Sequence, residues 1–406
     1  MMGKTIALIG ALDTKGADYA FVKREIEKRG HYALTINTGV LGEPLFEPDV
    51  PAERVSLAGG MTLDELRREK DKSLAMSVMT RGIAKVVKEL FDQGLIDGGL
   101  SMGGSNGTMI GTSGLRALPV GVPKVMVSTV ASGDTQPYVG ISDIVMVPSI
   151  LDVAGLNRIS AKIYANAVGI IVGMVESEVP PIETKPLITA SMFGNTTKLI
   201  NQCATQLEEN GYEVLVFHAT GTGGKTMESL IDQGYITGVL DVTTTELADE
   251  LVGGVLSAGP TRMEAAAKWA LPQVIAPGCL DMVNFWGMST VPDKYRDRLL
   301  YCWNDNITLM RTTPEENAKL GRLLAEKANR SKGEVAIFLP LQGLSELDAP
   351  GREFWWPEAD QALFDAIRQY ARKDISIYEL DCNINDAMFA QAVTSKLLDM
   401  LQHEYE

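Results

Sequence analysis

The sequence predicts an α/β protein built from two doubly wound parallel-sheet domains, Rossmann- or flavodoxin-like, related as an internal repeat. Three observations carry the prediction. Short apolar runs ending in glycine alternate with stretches of helical periodicity. The order strand, glycine turn, helix, strand recurs in the second half with matching landmarks. Between the halves lies ESEVPPIETKP (176–186), rich in proline and charge as linkers are. The expected domains are residues 1–180 and 181–406.

The elements follow in order. TIALIGA (5–11) is a buried-strand run containing Gly10. ADYAFVKREIEKRG (17–30) places Tyr19, Val22, Ile26 and Arg29 at helical spacing and closes on Gly30, a helix stop. HYALTINTG (31–39) alternates and ends in glycine, and strand-bearing runs follow at 98–108, 124–129 and 143–148. The second half opens with the strand PLITASMFG (186–194), the helix TKLINQCATQLEENG (197–211) and the strand YEVLVFHATG (212–221). Thr14-Lys15 corresponds to Thr197-Lys198, Gly30 to Gly211 and Gly39 to Gly221, at offsets of 183, 181 and 182 residues. Further strands are expected at 238–244, 273–278, 334–341 and 375–381, and helices at 261–270, 314–330, 358–372 and 385–402. The last helix is free, on sequence grounds, to pack back onto the first domain.

Composition narrows the function classes. A net charge of −15 argues against nucleic acid as a partner, since that needs a basic face. It leaves room for a bound anion, because backbone N–H groups and helix N-termini hold phosphate in acidic proteins. Four scattered cysteines without a C-x-x-C, and three histidines, give no zinc spacing, so no metal site is expected and buried free thiols are. The start MMGKTIALIG lacks signal-peptide architecture, and no apolar stretch of membrane-spanning length is expected. A cytoplasmic protein with no membrane partner is the reading.

The glycine clusters fall at strand ends, where open α/β sheets bind ligands. In the first domain the expected cofactor site comprises Gly10, Asp13, Thr14, Lys15 and Gly39. It continues with Gly103, Gly104, Ser105, Asn106, Gly107 and Thr108, then Ser128, Thr129, Ser132 and Gly133. Lys15 suits a phosphate, and Asp13 suits a ribose or a water-bridged Mg2+. In the second domain Thr220, Gly221, Gly223 and Gly224 form a second ligand turn. His218, Arg262, Asp281 and Asn284 are the catalytic candidates there, with Arg262 suited to a bidentate anion. Residues 219–226, ATGTGGKT, stand one residue from the phosphate-loop pattern G-x-x-x-x-G-K-[ST], with Ala219 for the first glycine. GALDTKG lacks the G-x-G-x-x-G of a dinucleotide oxidoreductase.

The blocks GALDTKGADY, LSMGGSNGT, VPKVMVSTVASGDT, HATGTGGKTMESL, GGVLSAGPTRMEAA and PGCLDMVNF occur in that order. With NITLMRTTPEEN and FLPLQGLSELDAPG they make the chain resemble the Tm-1-like ATP-binding family over nearly its whole length. The resemblance implies a two-domain α/β protein that binds ATP, with or without Mg2+, and associates as a homodimer or higher homo-oligomer. It implies a nucleotide site on LDTKG, GGSNGT and STVASGD, and brings no reaction. Plant relatives fuse a similar region to a TIM-barrel domain, and one acts as a virus-resistance factor. The family usually reads H-A-T-G-x-G-G in the 218–224 block, so Lys225-Thr226 is this chain's own variation and the phosphate-loop match is a coincidence. Two functions compete. One is an ATP-binding enzyme whose interdomain cleft holds a small anionic metabolite. The other is a non-catalytic, ATP-ligated scaffold or regulator acting through a protein partner.

Overall fold

The computed structural model describes residues 3–403. The chain divides after Pro181 into two compact units. The first runs β1 (Thr5–Gly10), α1 (Gly16–Glu27), β2 (Tyr32–Asn37), α2 (Ala52–Gly59), α3 (Leu63–Glu69) and α4 (Lys72–Asp92). It continues with β3 (Gly98–Gly103), α5 (Ser105–Arg116), β4 (Lys124–Ser128), α6 (Gln136–Val139), β5 (Val145–Pro148) and α7 (Arg158–Glu176). Among the described residues its strands form one five-stranded parallel sheet in the order β2-β1-β3-β4-β5.

Alternation along the central strand builds both cores at once. Ile6 and Leu8 pack with Tyr19, Val22 and Ile26 of α1 and with Tyr164, Val168 and Ile171 of α7. Ala7 and Ile9 point the other way, into Val55 of α2, Val78, Ile83 and Val87 of α4 and Leu115 of α5. By length and composition α7 could cross a membrane, with a mean hydropathy of 1.3, which corrects the expectation that no such stretch exists. Its apolar face, Val168, Ile171 and Val172 included, is buried against the sheet.

The second unit repeats the winding. It runs β6 (Leu187–Met192), α8 (Thr197–Glu209), β7 (Glu213–His218), α9 (Thr222–Asp232), β8 (Ile236–Thr243), α10 (Glu246–Val252), α11 (Ala265–Lys268) and β9 (Gln273–Gly278). Then come β10 (Met282–Phe285), β11 (Leu300–Asn304), β12 (Ile307–Arg311), α12 (Pro314–Ala328), β13 (Val335–Pro340), α13 (Pro357–Tyr370), β14 (Ser376–Leu380) and α14 (Ala387–His403). The parallel sheet is ordered β14-β13-β9-β8-β6-β7, the first unit's winding with one strand more. The repeat extends to backbone detail. Gly30 after α1 and Gly211 after α8 are both left-handed, at φ +86° and +89°, so each reverses the chain into the next strand.

Three features depart from the sequence reading. A three-stranded antiparallel sheet, β10-β12-β11, is inserted between β9 and α12. The helix expected over 261–270 shrinks to Ala265–Lys268, because Met263 and Ala270 take left-handed φ of 69° and 58° at its two ends. The last helix, α14, lies on its own unit's sheet: Phe389, Val393, Leu397 and Leu401 join Ile188, Leu240 and Val274 in one core. Of the four cysteines, all unpaired, Cys203, Cys279 and Cys382 are buried, whereas Cys302 on β11 is exposed.

Candidate functional site

Parallel strand order fixes where a crevice opens. In the first unit β1 hydrogen-bonds β2 on one side and β3 on the other, so the loops leaving β1 and β3 run to opposite faces of the sheet. The gap beyond their carboxyl ends is bridged by one side chain. The Tyr19 hydroxyl shares its proton between the carbonyl oxygens of Ile9 (2.7 Å) and Met102 (2.6 Å), and accepts from the Met102 N–H at 2.9 Å. Burial pushes its phenol well above the ordinary value, so it stays a donor. Gly10 is obligatory beside it, since a Cβ there would lie 1.8 Å from the Tyr19 ring. Tyr19→Phe strands buried backbone groups and is expected to cost the first unit about 2–3 kcal/mol in chemical denaturation. A cost under about 0.5 kcal/mol would show that those groups find other partners.

Above this bridge lies a cavity of about 800 Å³. One wall is the first turn of α5. Its first intrahelical bond runs from the Thr108 N–H to the Gly104 carbonyl at 2.7 Å, which leaves the N–H groups of Ser105, Asn106 and Gly107 outside the helical ladder. Such a turn favours an anion. Apolar side chains line it as well: Leu66 of α3, Met76 and Met79 of α4, and Ile110 further along α5. Gly10, Asp13, Thr14, Lys15, Gly39, Gly103, Gly104, Ser105, Asn106 and Gly107 all line the cavity. Asp13 does two things. Its Oδ2 accepts from the N–H groups of Leu41 (2.9 Å) and Gly42 (3.2 Å), shaping the loop after β2, while its buried Oδ1 has no protein partner.

The remaining cofactor candidates, Thr108, Ser128, Thr129, Ser132 and Gly133, do not line the cavity, although Thr129 lies next to Gly104, which does. The Thr108 and Ser128 hydroxyls are buried and bond each other at 2.6 Å, pinning α5 to β4. Sequence reasoning missed Arg67, Lys70, Lys72 and Asp152, which do line it. The signal was present for the first three: Thr62 and Glu65 spell a capping box that starts α3, and Asp71 caps α4. The charge run between these caps is the cavity's rim, although by composition it reads as a solvated face.

The second unit fills its corresponding position with its own charges. Between β6 and β8 the Ser191 hydroxyl donates to Asp241 Oδ1 at 2.7 Å. Arg262, fully buried, donates from Nη1 and Nη2 to Asp241 at 2.5 and 2.6 Å and from Nε to Glu246 Oε2 at 2.6 Å. Glu246 Oε1 in turn accepts from the N–H groups of Gly221 (2.7 Å) and Gly224 (3.0 Å). The glycine turn therefore holds an anion already, and that anion is Glu246. The bidentate partner foreseen for Arg262 is Asp241, not an external ligand. The Thr226 hydroxyl donates to the Thr222 carbonyl at 2.8 Å, within the helix, and Lys225 is exposed.

The other candidates of this unit belong to separate networks. His218 is exposed at the end of β7, its ring 5.4 Å from that of Phe193; partial desolvation holds the imidazole below its usual pKa against the pull of Glu246. Thr220 donates back to the His218 carbonyl at 3.2 Å, and Gly223 packs on that same carbonyl. Asn284 donates to Asp249 Oδ2 at 2.6 Å. Asp281 accepts from Ser345 at 2.8 Å beside Arg311. Asn284 and Asp281 are fully buried.

Comparison with known proteins follows this division. Residues 4–180 match the N-terminal domain, and residues 185–401 the C-terminal domain, of the family described as "Uncharacterised protein family (UPF0261)". A UPF0261 protein of Clostridium tetani is 50% identical over 403 residues, covering 99% of this chain and 100% of that one. A UPF0261 protein of Rhizobium meliloti is 41% identical over 399 residues, 98% of this chain and 99% of that one. The ToMV resistance protein Tm-1(GCR237) of Solanum lycopersicum is 40% identical over 337 residues, 81% of this chain and 45% of the tomato protein. With both domains matched end to end, the chain belongs to the UPF0261 family.

Proposed function

We propose that this protein binds ATP in the cavity of its first unit. The observation that carries the reading is one cavity of about 800 Å³ lined both by unpaired helix N–H groups and by Leu66, Met76 and Met79. That pairs a place for phosphate with a place for a base. The N–H groups of Ser105, Asn106 and Gly107, with Lys15, would take the phosphates. The partnerless Oδ1 of Asp13 fits a Mg2+ held through water, the ion supplying charge neutralisation. The resemblance to the Tm-1-like family supports the same ligand. A small anionic metabolite as co-ligand, assembly as a homodimer or higher homo-oligomer, and a cytoplasmic location belong to this reading. Four unpaired thiols suit a reducing compartment.

Calorimetric titration of Mg-ATP tests it. Lys225→Ala is expected to bind as wild type does, and Lys15→Ala about tenfold more weakly, the loss of one charge-assisted contact. The opposite pattern, binding lost with Lys225 and kept without Lys15, would move the site to the second unit. ADP accumulating beyond the protein concentration would select the enzyme over the ATP-ligated regulator.

A further inference from the structure

The segment joining α3 to α4 breaks two local rules within three residues. Lys70, at the end of α3, holds a left-handed backbone at φ 53°, where a long side chain is uncommon. Lys72 puts an ammonium on the first residue of a 21-residue helix whose first turn has no acidic residue, at the positive end of the dipole. Sequences accept such local conflicts chiefly where function compensates them. The neighbouring charges are committed. Asp71 accepts from the N–H groups of Ser73 (2.8 Å) and Leu74 (3.1 Å). Arg67 donates to the carbonyls of Val40 (3.1 Å) and Gly42 (3.3 Å). Lys70 and Lys72 line the cavity together with Lys15, and none of the three ammonium groups has a hydrogen bond or ion pair among the described residues. Four cations line the cavity, Lys15, Arg67, Lys70 and Lys72, against three carboxylates, Asp13, Asp71 and Asp152, so in a chain of net charge −15 its lining is net positive.

We propose that Lys70 and Lys72 are charge-selecting residues: they make the cavity prefer a ligand bearing several phosphate groups over one bearing a single phosphate. The proposal rests on the cavity being a phosphate site, as in the function proposed above, but not on the ligand being a nucleoside. The α5 amides and Lys15 serve any phosphate; the α3–α4 rim adds attraction that grows with ligand charge and shrinks with salt.

The test compares tripolyphosphate with orthophosphate by competition calorimetry at low salt. Wild type is expected to prefer tripolyphosphate by more than about tenfold, and the Lys70→Gln, Lys72→Gln pair to lose most of that preference with its melting temperature unchanged. The Lys70→Arg, Lys72→Arg pair keeps the preference. Should the Gln pair unfold, Lys72→Gln alone, at a regular helical position, carries the same test. An unchanged preference in the Gln variant overturns the proposal, as does failure of wild type to bind tripolyphosphate. Titration with ATP and AMP separates the two readings. Tripolyphosphate bound and ATP refused sinks the nucleotide reading and leaves charge selection standing. ATP and AMP weakened equally by the Gln pair does the reverse.

Discussion

Arg262→Ala is expected to destabilise the second unit by about 3–5 kcal/mol, the largest single-residue effect foreseen for this chain. The guanidinium has no solvent exposure and is the counter-charge for three side chains: Asp241 and Glu246, 3% and 0% exposed, and Glu228 at 3.4 Å. Removing it leaves Asp241 and Glu246 buried without that cation. The damage spreads along the chain of contacts, because Glu246 also holds the turn through Gly221 and Gly224, and Asp241 holds Ser191 on the neighbouring strand. Urea unfolding with a probe in the second unit measures it. Neutralising the stranded partners, by adding Asp241→Asn and Glu246→Gln to the variant, is expected to recover part of the loss, since a neutral polar cluster no longer buries charge. A single variant within about 1 kcal/mol of wild type would show that water reaches the pair. Arg262 would then be available to a ligand after all.

Stability is expected to fall as pH rises from about 5 to about 8, and Asp360→Asn to flatten that slope. Burial raises Asp249 to about 7, and the larger cause is one guanidinium shared by three buried carboxyl groups. Arg311 on β12 donates to Asp360 of α13 at 2.6 Å and lies 3.6 Å from Asp348, in the loop after β13. Asp281, in the turn after β9, accepts from Ser345 and feels the same arginine. Cys279 is buried beside Asp281 and Asp348. Burial, and then repulsion from Asp348, raise Asp281 to about 7 and Asp360 to about 8; burial likewise raises Asp348. The sign follows from linkage. The folded state holds these protons more tightly than the unfolded chain, so the contribution is complete below the unfolded carboxyl pKa. It is lost as pH climbs through the raised values, on the order of a few kcal/mol in all. Asp49 and Asp143 oppose this at the acid end: their carboxyls are lowered on folding, by hydrogen bonds from Thr35 and Lys124 that outweigh burial, and their contribution is lost on acidification. Melting temperatures across the range check the claim. A slope that survives Asp360→Asn intact would place the protons elsewhere.

Most of the parallel-sheet winding was legible because its determinants are local. Residues 5–11 read as a buried strand from an apolar run, which the structure forms over Thr5–Gly10, and Gly30 and Gly211 read as helix stops, because φ preference and burial period act over a few neighbouring residues. The antiparallel insertion was hidden for a physical reason: β10 and β12 are short and buried, without the alternation that exposes a strand. On the site, strand-end glycines pointed to Gly10, Gly103 and Gly104, which line the cavity, since loops at a switch point need close backbone approach.

By itself the sequence determined the repeat, the two units' winding and the strand ends at which ligands can sit. The tertiary structure alone decided which strand end is open. Gly221 to Gly224 and Ser105 to Gly107 are alike as strings, both glycine-rich turns opening a helix. One receives Glu246 from over twenty residues away, held by a buried arginine, and the other faces a cavity. Whether a backbone N–H group is free depends on which side chain folding brings to it, and nothing in the turn's own residues records that.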